Sequence, residues 1–131
     1  MRRDSQRFTD IVRAADSVAR YLVGINKDEF MEEGLAQDAI LRQLTVAGEA
    51  AYKISREIKA RYQQIARFRH RVVHDYFGFD LEAAWDIASM GMPVLRIQVL
   101  AILAADFPDE SVLRESEAPS SSEQEIRSSL M

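Results

Sequence analysis

Apolar positions recur along most of this chain at the three- and four-residue steps of a helix with one buried side. Phe8, Ile11, Val12, Ala15, Val18, Ala19 and Leu22 mark the first such stripe. Asp4 or Ser5 can cap its start, and Gly24 is placed to end it. Between Ile25 and Gly34 lies an acidic turn, DEFMEE, from which Phe30 and Met31 can dock on a core. A second stripe, Ala36, Ile40, Leu44, Ala47, Ala51, Ile54 and Ile58, predicts a helix over about 35–61. Small residues at Ala47, Gly48, Ala50 and Ala51 would let another helix approach closely. Such packing would offset the roughly 1 kcal/mol that a mid-helix glycine costs. Glu49, beside that patch, reads as solvated. Ile65, Phe68, Val72 and Val73 (with Ala66) give the core face of a third helix over about 63–76. Phe77-Gly78-Phe79-Asp80 breaks it, and Asp80 suits the cap of the next helix. That helix starts at Leu81 and carries Ala84, Trp85, Ala88, Met92, Leu95, Val99 and Leu103. Pro93 removes a backbone donor and clashes one turn back, so a kink or restart is expected near Gly91.

No segment alternates like a strand, and no repeat has solenoid spacing. The pattern therefore predicts an all-α, up-and-down bundle of four to five helices over residues 1–105. Beyond Asp106 the composition turns to ESEAPSSSEQEIRSS, poor in apolar residues, so 106–131 is expected to be a disordered, flexible acidic tail. No stretch approaches the ~20 apolar residues that span a bilayer. The start, MRRDSQRFTDIV, lacks the apolar core of a secretory signal. Cysteine is absent, which excludes disulfides and thiolate metal sites. A cytoplasmic protein with no membrane partner is the expectation.

The formal net charge of −4 conceals a division along the chain. Residues 106–131 hold seven acids and two arginines, net −5, and the rest is net +1. Lys53 to His74 carries seven Lys/Arg against one acid, Glu57. Such a stripe is either a phosphate-binding footprint or a solvated helix face.

The dense cluster of reactive side chains is Arg67-Phe68-Arg69-His70-Arg71-Val72-Val73-His74-Asp75-Tyr76, which holds both histidines of the protein. There is no glycine-rich phosphate loop and no Ser/His/Asp set. Histidine moves protons near neutral pH, and the arginine fork fits phosphate oxygens. Together they suit transfer at a phosphodiester. RNA supplies its own nucleophile, the ribose 2′-hydroxyl, so such a site needs an acid or base and a cation but no metal or cofactor. His70 and His74, four apart, share a helix face. They could also hold zinc, although no third ligand is evident. Arg69 and His74 are five apart, about 140° around an α-helix. They converge through arginine's reach, a frayed helix end, or a second copy across a two-fold axis. The small-residue patch points to the same two-fold pairing, with Phe68 or Phe77 packing at the interface.

Arg69-x4-His74-x-Tyr76 resembles the R-x4-6-H signature of the HEPN superfamily, in the form with a following tyrosine found in HepT-like toxins. RDSQRFTDIVRA, AILRQLTVAGEAAYKIS and HDYFGFDLEAAWDI resemble that family's successive segments, so the likeness covers about residues 3–104. His70 departs from the asparagine most common after the arginine. Gln63-Gln64-Ile65 replaces a frequent Pro-Trp pair. The resemblance implies a HEPN-type bundle, usually a homodimer with the motifs lining a cleft. It implies a metal-independent endoribonuclease toxin acting on an RNA substrate. It also implies an MntA-like minimal nucleotidyltransferase antitoxin that transfers AMP to the motif tyrosine, here Tyr76. On this reading Arg69 and His74 are catalytic, and Arg67 and Arg71 bind RNA phosphate. His70 either serves as a second acid/base or orients Arg69. The alternative is a non-catalytic HEPN module that binds nucleotide or its partner.

Overall fold

The computed structural model describes residues 3–76 and 80–108, the side chains of residues 75 and 76 excepted. Its elements are α1 (Asp4–Tyr21), α2 (Lys27–Glu32), α3 (Gly34–Lys53), α4 (Arg56–Arg61), α5 (Gln63–Arg71), α6 (Leu81–Asp86) and α7 (Met92–Asp106). Two π-helical turns join them, Val72–Tyr76 after α5 and Ile87–Gly91 between α6 and α7. Among the described residues there is no strand, and the architecture is the all-α bundle expected. α1 lies at its centre, packed on α3 and α7. Phe8, Ile11, Val12, Ala15 and Val18 are buried there against Ile40, Leu44, Ala47, Val99 and Leu103.

Capping explains where the helices start and stop. At α1 neither Asp4 nor Ser5 is the cap. The Arg3 N–H donates to Gln6 Oε1 at 3.2 Å, and Asp4 Oδ1 instead accepts the Ser55 N–H at 3.0 Å, tying the start of α1 to the α3–α4 corner. Gly24 ends this region as expected, at φ 74°, where a Cβ would be strained. The acidic turn is a helix, α2. Asn26 Oδ1 accepts the Glu29 N–H at 2.9 Å, and Glu29 Oε1 accepts the Asn26 N–H at 3.3 Å, a reciprocal cap. Phe30 is buried from α2 with its ring 5.5 Å from Trp85.

The helix expected over 35–61 is two helices. Ile54 and Ser55 are extended, and Ser55 Oγ accepts the Ile58 N–H at 3.4 Å to start α4. The apolar stripe crosses this break because Ile54 and Ile58 stay buried on both sides of it.

Pro93 causes no restart. Leu81–Asp106 runs as one 26-residue helix, because the π-helical turn Ile87–Gly91 lies directly before the proline and widens the backbone where its ring would clash. This unbroken run overturns the expectation about apolar length: by length and composition alone it could cross a membrane. One face, with Ile87, Met92, Leu95, Val99 and Leu103, is core. Its other face is apolar and exposed, with Met90 at 70%, Val94 at 54% and Ile97 at 67%.

Packing continues past residue 105. Asp106 Oδ1 lies 3.6 Å from Arg61 Nη1, and the Phe107 ring lies 6.2 Å from Phe8. The rest of the expected tail, 109–131, and Phe77 lie outside the described residues.

Candidate active site

α5 is anchored by Ile65 and Phe68, and Val72 begins the turn that follows it. Gly48 of α3 sets how closely this segment approaches. A Cβ at Gly48 would sit 3.2 Å from Val72 Cγ1 and 3.6 Å from Val72 Cβ. Gly48 is thus packed within the chain, and Ala47, Ala50 and Ala51 beside it are buried there as well. Phe68 is likewise only 8% exposed, a core residue rather than an interface residue.

The Val72–Tyr76 segment is not frayed but π-helical. A π turn closes its hydrogen bonds over five residues instead of four, so each step rotates less than the α-helix's roughly 100°. His74 is thereby carried back from the 140° offset toward the faces of Arg69 and His70. The His70 and His74 rings lie 4.0 Å apart between centroids, tilted by 33°, and both residues are exposed. The Arg69 guanidinium turns to α3, where its Cζ stands 4.7 Å from the centre of the Tyr52 ring. Among the described residues no hydrogen bond joins Arg69 to either histidine. The guanidinium thus packs on Tyr52, and the His70 ring packs against His74.

Tyr52 was missed by sequence reading. Its signal was available: an aromatic residue off the apolar stripe, directly before the basic stretch.

Arg67 and Arg71 lie elsewhere. Each is two residues from Arg69, so both lie nearly opposite it on the helix. With Gln64, Phe68, Asp86, Met90 and Leu95 they line a groove of about 520 Å³ between α5 and the long helix. Arg71 Nη1 is 3.3 Å from where a Gly91 Cβ would be, so this guanidinium lies across the helix backbone at Gly91. The side chain of Tyr76 lies outside the described residues. No group of three or more His, Asp or Glu side chains among the described residues could hold a metal ion.

An exposed imidazole pair can exchange protons, and a guanidinium on the same segment can bind a phosphate. The sequence model of the family described as ribonuclease HepT-like matches residues 11–102, from within α1 to within α7. The chain belongs to the HepT-like ribonuclease family. A candidate RNase of Methanocaldococcus jannaschii is 29% identical over 101 residues, covering 72% of this chain and 87% of the relative. A probable ribonuclease HepT of Thermococcus cleftensis is 28% identical over 92 residues, covering 66% and 84%. A third relative, again from M. jannaschii, is named for both a gamma-glutamylcyclotransferase and a candidate RNase. It is 27% identical over 109 residues, and this chain spans 49% of its length. No solved structure matches. The Arg69–Tyr76 motif falls inside the family match, so the site described above belongs to the shared part of the chain.

Proposed function

We propose that the protein is a metal-independent endoribonuclease, the toxin of a two-component pair, and that the observation carrying this is the close His70–His74 ring pair on the segment that carries Arg69, in a HepT-like ribonuclease. In the reaction the RNA 2′-hydroxyl oxygen bonds to phosphorus while its proton passes to His74. Arg69 carries the charge that builds on the non-bridging oxygens. The P–O5′ bond breaks, and the leaving 5′-oxygen takes a proton from His70 in its imidazolium form. The products are a 2′,3′-cyclic phosphate and a 5′-hydroxyl. His70 as the acid is supported by its stacking on His74 and by Tyr52 taking over the orientation of Arg69.

The active form is a homodimer in the cytoplasm. Its support is the exposed apolar face of the long helix, beside a groove that carries Arg67, Arg71 and Asp86. Control falls to an MntA-like minimal nucleotidyltransferase that attaches AMP to Tyr76, two residues beyond His74. The added phosphate would bring negative charge and bulk to the arginine-rich segment and compete with RNA.

The deciding experiment is cleavage of single-stranded RNA by purified protein in the presence of chelator. The wild type should cleave, and His74→Ala and Arg69→Ala should each lose about 10²–10⁴-fold, the usual contribution of an acid–base group. Wild-type protein that leaves RNA intact, or cleaves only with a divalent ion restored, would overturn this reading. The modification is tested separately by intact mass after incubation with the nucleotidyltransferase, ATP and magnesium. A Tyr76→Phe variant should gain no AMP.

A further inference from the structure

Tyr52 stands where three helices bring unlike groups together. It projects from the last turn of α3, Arg69 comes from α5, and Lys59 comes from α4. The Lys59 ammonium donates to the Tyr52 carbonyl oxygen at 3.0 Å and lies 5.5 Å from the centre of its ring. Arg69 Cζ lies 4.7 Å from the same centre. Yet Tyr52 remains 57% exposed, more than a ring closed between two covering groups would be. A partly exposed aromatic ring with two cations close over it has the composition of a single-strand nucleic-acid platform. Every base has a π face to stack, and each cation can meet a backbone phosphate.

We propose that Tyr52 stacks a nucleobase of single-stranded RNA, with Arg69 holding the phosphate joined to that nucleotide and Lys59 the adjacent one. This deepens the ribonuclease reading and rests on it. Arg69 lies over the ring, and the Lys59 bond to the Tyr52 backbone carbonyl keeps a second cation near it, so a base that stacks on the exposed part of the ring brings its phosphate toward the catalytic arginine. Paired RNA keeps its bases within the helix and cannot use the platform, so the site selects single strands.

The test uses the full-length His74→Ala protein, which binds without cleaving, and a short single-stranded RNA carrying 2-aminopurine. Binding should quench the fluorophore, and a duplex of the same sequence should bind more weakly. Adding Tyr52→Leu should weaken binding about tenfold and remove the quench, whereas Tyr52→Trp should retain both. Unchanged affinity and quench in Tyr52→Leu would overturn the platform while leaving cleavage by the wild type, and so the ribonuclease reading, intact. Loss of cleavage by Tyr52→Leu made in the wild-type protein, with binding unchanged in the His74→Ala background, would also overturn it, because the ring would then serve only to orient Arg69. Wild-type protein that neither binds nor cleaves RNA would remove the ribonuclease reading itself.

Discussion

Two glycines on the long path around the site have opposite reasons for lacking a side chain. A Cβ at Gly48 would meet Val72 Cγ1 at 3.2 Å, on a stiff β-branched side chain at the start of the π-helical turn. A Cβ at Gly91 would meet Arg71 Nη1 at 3.3 Å, the far end of a side chain that can swing aside. Gly48→Ala should therefore destabilise by about 1–3 kcal/mol, the usual cost of overpacking, despite alanine's better helix propensity. Because the displaced segment carries His74, cleavage should fall with it. Gly91→Ala should be neutral or stabilise by up to about 1 kcal/mol. Denaturant midpoints of the two variants check both signs at once. Deep burial predicts a larger effect at Phe30, which fills the space under Trp85: Phe30→Ala should cost about 3–5 kcal/mol in the same measurement.

At the scale of the element, local polar groups decide what the apolar stripe leaves open. The stripe through Ile54 and Ile58 reads as one helix, but Ser55 offers the backbone another arrangement. Its hydroxyl accepts the Ile58 N–H, and its own N–H donates to Asp4. Ser55→Ala should cost about 1 kcal/mol by chemical denaturation, and Ser55→Asp should recover most of it, since aspartate caps equally well. The π-helical turn ahead of Pro93 shows the reverse case, where the sequence allows a restart and the helix runs on. Ahead of Pro93 the wide turn Ile87–Gly91 keeps the helix continuous, and Ser89 Oγ donates back to the Trp85 carbonyl at 2.7 Å within it. At Val72–Tyr76 the same kind of turn adjusts the position of His74. The Val72–Tyr76 turn carries His74 of the candidate site, in keeping with the tendency of π turns to occur at functional positions.

On the scale of the whole molecule, one chain leaves apolar surface that it does not cover. Met90, Val94 and Ile97 are exposed on the long helix, and the first two line the groove holding Arg67 and Arg71. If this face joins two copies, Val94→Asp with Ile97→Asp should halve the mass seen by light scattering at micromolar concentration. Circular dichroism should stay unchanged, because both residues are exposed in the chain. A wild-type mass of one chain would remove the dimer. Cleavage by a mixture of Arg69→Ala and His74→Ala subunits, each inactive alone, would show that one site draws on both copies.

The periodicity of Phe8 to Leu22, and of the later stripes, was enough to specify helices with one buried side. No alternating segment competed, so the bundle followed. The spacing of Arg69, His74 and Tyr76 was also legible, because a motif is a property of sequence. Tertiary structure alone decided which way the Arg69 and His74 side chains turn. Tyr52 and Arg69 are 17 positions apart, and only the packing of α5 on α3, as close as Gly48 allows, brings them together. The separation of Arg67 and Arg71 from Arg69 depends on which face of α5 meets the long helix. The π-helical turns belong to the same class. Their hydrogen-bond register is set by what the helix must pack against, and the hydrophobic period that reveals a helix does not encode it.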